Sequence, residues 1–212
     1  MNTSSSLRFL ITAGPTREFI DPVRFISNRS SGKMGYALAE AARAVSPNVV
    51  LTSGPAALTP PMGVQFVSVT TAQEMARAVL ARFQKCDVVI MAAAVCDFKP
   101  SHPVKSKIKK RGFSGVLKLS PTIDILAELG RRKRSQLLVG FAAETNALIR
   151  NATDKLKRKR LDLIVANDAK AFEAETNRVT LLGVGGERET LPELPKEEVA
   201  AAIIERVLKL AR

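Results

Sequence analysis

Short apolar blocks rich in branched residues alternate along the chain with longer segments whose apolar residues recur every three or four positions. Arg8–Thr12, Asn48–Thr52, Gln65–Val69, Val88–Ala93, Leu137–Ala142 and Leu161–Ala166 have strand character. Between them the period changes to that of a helix. Gly32–Val45 is Ala-rich, with Met34, Leu38, Ala41 and Val45 predicted on one face. Thr71 is placed to cap a helix running through Phe83, with Glu74 as its capping-box partner. Thr122–Gly130 and Thr145–Arg160 read as further helices. Pro195–Leu210 reads as a closing amphipathic helix, with Pro195 suited to its first turn. Val88–Ala93 is apolar on every position, as expected of a strand covered on both faces. Val179–Leu182 and Glu187–Thr190 flank Gly185-Gly186, which signals a hairpin.

Strands that alternate with helices predict an α/β fold, a doubly wound and mainly parallel sheet with helices on both faces. Right-handed crossovers then bring the loops after the strands to one edge. Those loops are Ala13–Ser31, Val95–Arg111, Ala143–Glu144 and Asn167–Ala169, and they are the most polar stretches of the chain. Ala13–Ser31 reads as a long polar loop. The Lys-rich segment 99–115 has no apolar period and reads as a mobile flap, and residues 1–6 read as a flexible N-terminus. A length of 212 residues, with no internal repeat or linker, predicts one domain over 1–212.

Charge modifies this picture. The chain has 33 Lys+Arg against 20 Asp+Glu, a formal net charge of +13. Fourteen of the basic residues lie in three acid-free tracts: Lys105–Arg111, Arg131–Arg134 and Lys155–Arg160. Without them the remainder holds 19 basic against 20 acidic residues. Such tracts attract nucleic acid, anionic lipid or polyphosphate, or are solvated helix ends; basic residues after a helix also suit its C-terminal dipole. Other counts exclude mechanisms. One histidine, His102, leaves no paired-imidazole chemistry, and two cysteines, Cys86 and Cys96, leave no disulfide scaffold or four-Cys zinc site. A reducing cytoplasmic setting follows from that cysteine usage. No apolar run reaches the ~20 residues of a membrane span, and the start lacks the features of a secretory signal.

Five stretches carry possible chemistry, each beside a plainer reading. Ser30-Ser31-Gly32-Lys33-Met34-Gly35 opens a helix and offers backbone amides to a phosphate, or is a cap followed by a packing glycine. It is neither a P-loop, since Ser27 and Met34 occupy two defining positions, nor a G-x-G-x-x-G fingerprint. Asp97, after a buried strand, is a carboxylate for a base, a sugar or a magnesium shell, or a turn residue. Cys96 lacks an evident base and reads as a packing residue. Lys107-Ile108-Lys109-Lys110 is a flap that could close over a triphosphate, or a solvated tract. Gly140–Thr145 and Asn167-Asp168 are strand-end turns. Their common edge points to a nucleotide site.

At this point the residues resemble a known family. Thr12–Glu18 with Asp21–Gly35, then Ala92–Asp97, Lys107–Lys110, Gly140–Thr145 and Asp162–Asp168, resemble in the same order the motifs of phosphopantothenoylcysteine synthetases. The likeness runs from about Arg8 to the final helix. It implies a Rossmann-like fold with a small antiparallel dimerisation extension, for which the Val179–Thr190 hairpin is the candidate, and a homodimer. It implies a ligase of coenzyme A biosynthesis that joins 4′-phosphopantothenate to L-cysteine. CTP with Mg2+, ATP staying open as the alternative nucleotide, would form an acyl-cytidylate and release pyrophosphate; the cysteine amine would then release CMP.

Residue roles follow from the same resemblance. Lys107 would serve formation of the acyl-cytidylate, and Asn28 would hold the phosphopantothenoyl part and orient its carbonyl. Gly14, Thr16, Ser30, Ser31 and Gly32 would line the phosphate region. Ala93, Ala94 and Asp97 would sit by the nucleoside, Phe141 on the base side, and Lys155 and Lys159 near the triphosphate. Phe19 replaces a usual proline, and Cys96 a usual Ala or Ser. The flavin-dependent decarboxylase half that often precedes this domain is not matched here. Either this is a stand-alone synthetase whose decarboxylase partner is a separate chain, or it is an excised domain, and the Met1 start slightly favours the former. Two rivals remain: a nucleic-acid-binding module resting on the +13, against which the scarcity of aromatics counts, and a dinucleotide oxidoreductase, against which the missing glycine fingerprint counts.

Overall fold

The computed structural model describes residues 6–111, 114–144, 146–168 and 175–211. Its centre is an eight-stranded sheet. In chain order the strands are β1 (Phe9–Ala13), β4 (Val49–Ser53), β5 (Gln65–Ser68), β6 (Val88–Met91), β9 (Leu137–Glu144), β10 (Leu163–Asp168), β12 (Val179–Gly183) and β13 (Arg188–Thr190). Their spatial order is β13-β12-β10-β9-β6-β1-β4-β5. The six parallel strands alone read 3-2-1-4-5-6, the doubly wound order with its reversal between the first and fourth. At that reversal Ile11 of β1 lies between Leu51 of β4 and Ile90 of β6.

The alternation of side chains explains the two layers. Phe9, Ile11, Val88, Ile90, Val139 and Val165 point to one face, where α1 (Lys33–Val45) and α5 (Lys196–Leu210) cover them. Leu10, Val89, Leu138 and Ile164 point to the other, under α2 (Ala72–Phe83), α3 (Ile125–Arg132) and α4 (Leu148–Arg158). A strand buried on both faces is apolar almost throughout, as β6 is at every position and β1 is at all but Thr12. Burying each large side chain contributes about 1.5–3 kcal/mol.

The helices start where local chemistry allows. Thr71 and Glu74 form the expected capping box at α2. α3 begins later than Thr122, because Asp124 is the cap and accepts from the Ala127 amide at 3.0 Å. α4 begins at Leu148 rather than Thr145, which lies outside the described residues. On α1 Gly35, Tyr36, Leu38, Ala39 and Ala42 are buried, and Met34, Ala41 and Val45 pack half-buried against the same core. Gly35 lets this helix approach β1 closely, so a residue without a side chain lies in the buried face beside the larger ones.

Three further expectations change. The segment Ala13–Ser31 is not all loop: β2 (Arg17–Phe19) and β3 (Phe25–Ser27) form a hairpin. Phe19 and Phe25 meet edge-to-face at 5.9 Å, and the Arg17 guanidinium covers the Phe25 ring. The 99–115 flap grows from a second hairpin, β7 (Phe98–Pro100) with β8 (Leu119–Pro121). The Val179–Thr190 hairpin does form, but through β10 it joins the main sheet as its antiparallel edge rather than projecting beyond it. Beside the C-terminal helix, β11 (Thr176–Asn177) pairs with β14 (Leu194–Pro195).

The closest helix-to-strand contact is testable. A Cβ on Gly35 would lie 2.4 Å from the Ala13 Cβ and 2.9 Å from the Thr12 carbonyl oxygen. Overpacking of this kind costs about 1–3 kcal/mol or more. Gly35→Ala should lower the urea midpoint accordingly, and an unchanged midpoint would contradict the close approach.

Candidate functional site

At the strand-order reversal the chain leaves β1 and β6 in opposite directions, and the gap is stitched rather than left open. The Ala94 amide donates to the Gly14 carbonyl at 2.9 Å, and the Thr16 amide to the Ala94 carbonyl at 3.3 Å. The Thr12 hydroxyl accepts from the Ala93 amide, and the Thr16 hydroxyl from the Cys96 amide at 2.9 Å. From the far side of the gap, the Asn28 side-chain amide donates to the carbonyls of Ala94 at 3.2 Å and Val95 at 3.0 Å. The strand ends are thus fixed by the polar motif that follows β1.

Two cavities open on this edge. The larger, about 600 Å³, is walled by Asn28–Gly35, Ala92–Val95, Asp97, Phe141, Ala143, Lys155, Asn167, Asn177 and Lys196. The smaller, about 180 Å³, lies between β6, β9 and the start of α3, and includes Thr122–Leu126 and Lys159. Ala93, Val95, Asp97, Phe141 and Lys155 belong to both. The helix start in the larger cavity suits an anion. Gly32 is the N-cap of α1 at φ +82°, with no side-chain cap and no acid in the first turn. A Cβ there would press on Ala56 and Gly14. Amides at such a terminus carry partial positive charge.

The cations are held in place. The Lys155 ammonium donates to the Phe141 carbonyl at 2.7 Å. Lys159 pairs with Asp124 at 2.8 Å. Burial works to raise the Asp124 carboxyl, but Lys159 and the Ala127 amide outweigh it and hold it below the usual carboxylate range. Among the described residues no group of three or more His, Cys, Asp or Glu gathers as a metal cage. No helix among them is long and apolar enough to cross a membrane.

Residues 5–210 match the family model described as the DNA/pantothenate metabolism flavoprotein C-terminal domain. The chain belongs to this family. It is similar to the coenzyme A biosynthesis bifunctional protein CoaBC of Bacillus subtilis, with 48% identity over 208 residues, covering 96% of this chain and 51% of that protein. It is also 48% identical over 209 residues to a cysteine/cysteine sulfinic acid decarboxylase from an unknown prokaryotic organism, covering 96% of this chain and 58% of the relative. The chain spans about half the length of the curated relatives it matches. Among solved structures, the C-terminal domain of coenzyme A biosynthesis bifunctional protein CoaBC superposes with a TM-score of 0.86 at 46% identity, covering 99% of this chain and 98% of that one.

Within this flavoprotein C-terminal domain, most of the residues singled out by sequence converge. Asn28, Ser30, Ser31, Gly32, Ala93, Ala94, Asp97, Phe141 and Lys155 line the larger cavity, and Lys159 lines the smaller. Gly14 and Thr16 line neither. Gly14 turns the chain at φ +71° behind Gly32, and Thr16 is fully buried with its hydroxyl engaged by Cys96. Both lie behind the cavity wall and shape it. Lys107 also lines neither cavity. Its neighbour Ile108 is anchored instead: the Ile108 amide donates to Asp21 at 3.1 Å, and Arg24 donates to the Ile108 carbonyl at 2.8 Å. Cys96 is buried and burial raises its thiol pKa, which fits a packing role. The side chain of Asp168 lies outside the described residues.

Sequence reading held Arg29 and Lys33 only as members of motifs, with no role of their own, and missed Asn177 and Lys196, all on the larger cavity, and the Thr122–Leu126 turn of the smaller. One signal for Lys196 was available: a lysine opening a helix opposes the dipole there. The middle basic tract is engaged locally, with Arg131 and Arg132 on Glu128, and Lys133 on Asp162 at 2.6 Å. That removes a third of the basis for a nucleic-acid surface.

The flap anchor has a defined pH response. Hydrogen bonds from Arg24, against the opposing effect of burial, together with backbone amides of Val23, Ile108 and Arg24 hold the Asp21 carboxyl well below the carboxylate range. Its contribution is therefore complete above the unfolded pKa near ~3.9 and is lost as pH falls toward the depressed folded value. Asp21→Ala should speed tryptic cleavage within Lys105–Arg111 at neutral pH, and an unchanged cleavage rate would show that Asp21 does not hold this segment.

Proposed function

We propose that this chain is a phosphopantothenate–cysteine ligase of coenzyme A biosynthesis, using CTP to join 4′-phosphopantothenate to L-cysteine. The observation that carries the reading is the pair of adjoining cavities sharing Ala93, Val95, Asp97, Phe141 and Lys155. Two substrates can lie end to end there with their reacting atoms against a common wall. The family membership and the likeness to the CoaBC C-terminal domain support it. A single domain over 1–212, a cytoplasmic setting and a decarboxylase carried on another polypeptide segment or chain complete the proposal.

In the first step a carboxylate oxygen of 4′-phosphopantothenate attacks the α-phosphorus of CTP. Anionic nucleophile and triphosphate repel one another, so the site must supply positive potential, and Lys155, Lys159 and the α1 amides do so. Lys107 joins them when the flap leaves its Asp21–Arg24 anchor. The second step, attack of the cysteine amine on the acyl-cytidylate, needs a carbonyl held still more than it needs a base. Both Asn28 N–H groups already hold the Ala94 and Val95 carbonyls, so Asn28 fixes the wall against which the phosphopantothenoyl group lies, and offers its own oxygen to a donor on that group. Asp97 and Phe141 border the nucleoside. Mg2+ would arrive on the triphosphate, and Asp97 is the carboxylate on the shared wall that would face it. The ion would supply charge neutralisation.

For the homodimer, the apolar surface moves the proposal from the Val179–Thr190 hairpin to the two small hairpins. Phe19, Val23, Phe25, Phe98 and Leu119 are exposed there, and β2 lies against β7. Exposed apolar groupings of this kind mark protein contacts. Sedimentation at micromolar concentration should give a dimer that Val23→Glu weakens; a dimer unaffected by that charge would place the interface elsewhere.

The catalytic reading is tested with a nucleotide panel and pyrophosphate detection. Pyrophosphate release should require CTP, 4′-phosphopantothenate and Mg2+, and CMP release should require L-cysteine as well. Lys107→Ala should slow pyrophosphate release by about 10²–10³-fold. Wild-type release by that variant at saturating substrates would remove Lys107 from the reaction, and release with no nucleotide would remove the function.

A further inference from the structure

A third cavity lies beside the two already described. It encloses about 530 Å³ between the β2–β3 hairpin, α2 and the base of the flap, and its walls include Glu18, Phe19, Arg77, Leu80, Lys99 and Pro100. Thr122 and Ile123 line it and also line the smaller cavity, so one turn of chain separates the two. That turn is fixed to the shared wall: the Thr122 hydroxyl donates to the Cys96 carbonyl at 2.5 Å, and the Thr122 amide to the Asp97 carbonyl at 2.9 Å. The charges of the third cavity fall into two groups. Glu18 is only 5% exposed and accepts from the Ala72 amide at 2.7 Å, at the start of α2. A helix start favours a carboxylate, yet among the described residues no cation pairs with this one. Burial chiefly raises the Cys96 thiol pKa and the Glu18 charge adds to the rise, which places the carboxylate toward the shared wall. Arg77 and Lys99 are exposed, and among the described residues neither forms an ion pair. A buried carboxylate without a cation, two cations without a carboxylate and an apolar surface between them complement a zwitterion.

We propose that this cavity binds a free α-amino acid, which is L-cysteine under the ligase reading above, on which the assignment rests. The α-ammonium meets Glu18 at the end nearer the shared wall. The α-carboxylate meets Arg77 and Lys99 at the mouth, and the side chain lies on Phe19, Leu80 and Pro100. Hydrogen bonds between charged groups are the strong ones, and here they select for both ends of the ligand at once. This orientation brings the nitrogen to Thr122, and the acyl-cytidylate carbonyl lies beyond that residue. The ammonium loses one proton to water before it attacks and one after. Its nitrogen bonds to the acyl carbon, and the bond from that carbon to the cytidylate oxygen breaks with the electron pair on the oxygen. The Thr122–Ile123 turn keeps the amino acid apart from the nucleotide until that carbonyl has been activated.

The test follows CMP release at saturating CTP and 4′-phosphopantothenate while L-cysteine is varied. Arg77→Gln, on an exposed side chain whose loss does not threaten the fold, should raise the half-saturating L-cysteine concentration at least about tenfold and hold the maximal rate within about threefold. Lys99→Gln should act in the same direction. Cysteamine carries the amine and the thiol without the carboxylate, so its kcat/KM should differ by less than about twofold between wild type and Arg77→Gln. Glu18→Gln, which keeps an acceptor for the Ala72 amide, should weaken L-cysteine and cysteamine alike. An Arg77→Gln defect that is equal for cysteamine overturns the assignment. So does an equal defect in single-turnover pyrophosphate release without L-cysteine. A chain that releases no pyrophosphate from any nucleoside triphosphate, yet binds L-cysteine by calorimetry and loses that binding in Arg77→Gln, refutes the ligase reading and keeps this site. Normal CMP release with wild-type half-saturation in both Arg77→Gln and Lys99→Gln does the reverse.

Discussion

Where a doubly wound sheet reverses its strand order, the two central strands send their chains to opposite faces, and the backbone groups at their ends lose the neighbour that the next strand would have provided. Buried amides and carbonyls left that way cost free energy. Here β1 and β6 meet this constraint, and the polar motif after β1 resolves it. Thr12, Gly14, Thr16 and Asn28 together engage the backbone of Ala93, Ala94, Val95 and Cys96. The same motif then places an uncapped helix start beside them. The cavity, its anion-attracting end and its rigid wall all follow from how that one gap is closed.

Much of this was legible in the chain because it rests on local periodicity. The six parallel strands, the Thr71 capping box and the shared edge of the polar loops follow from burial on two faces and from the handedness of crossovers. The β2–β3 hairpin was not legible. Its two strands are three residues each, and its stability comes from contacts such as Arg17 on Phe25 and Asp21 on the turn, which lie across the fold of the segment rather than along it. The stripe on α1 was legible only in part, for a related reason: Leu38 is at its centre, and Met34, Ala41 and Val45 pack at its margin. Hydropathy ranks Met34 and Val45 above Gly35, whereas the approach of α1 to β1 requires the residue with no side chain.

The site was legible in its motifs and not in its depth. Ser30–Gly32, Ala93, Asp97 and Phe141 follow or end strands of the switch region, so topology alone brings them together. Lys196 comes from the last helix, more than 150 residues from Gly32 in sequence, and only the packing of α5 beside α1 delivers it. Thr16 differs in the opposite direction: it belongs to the matching motif, and the structure has it buried within the wall with its hydroxyl accepting from the Cys96 amide. A motif identifies residues that the arrangement requires, and it does not distinguish those that face a ligand from those that hold up the ones that do.

The charge of the chain acquires a physical meaning at this scale. An empty site lined with free ammonium groups would repel itself and destabilise the fold, and one with buried, permanently matched ion pairs would have nothing left for an anion. The structure lies between these limits. Lys159 rests on Asp124, whose side chain is about half exposed, and Lys33 rests on Glu175, whose side chain is mostly exposed. Glu175 returns to water at small cost when a better anion arrives, because little of its solvation was surrendered, whereas Asp124 is the more desolvated of the two. The cations are thereby kept in position without being neutralised by a partner that competes strongly. A phosphate chain, dense in charge and able to span several donors at once, is the class of ligand that gains most from this arrangement, and a single carboxylate gains least. That difference, rather than the total of +13, is the physical basis on which the proposed site would favour polyphosphate.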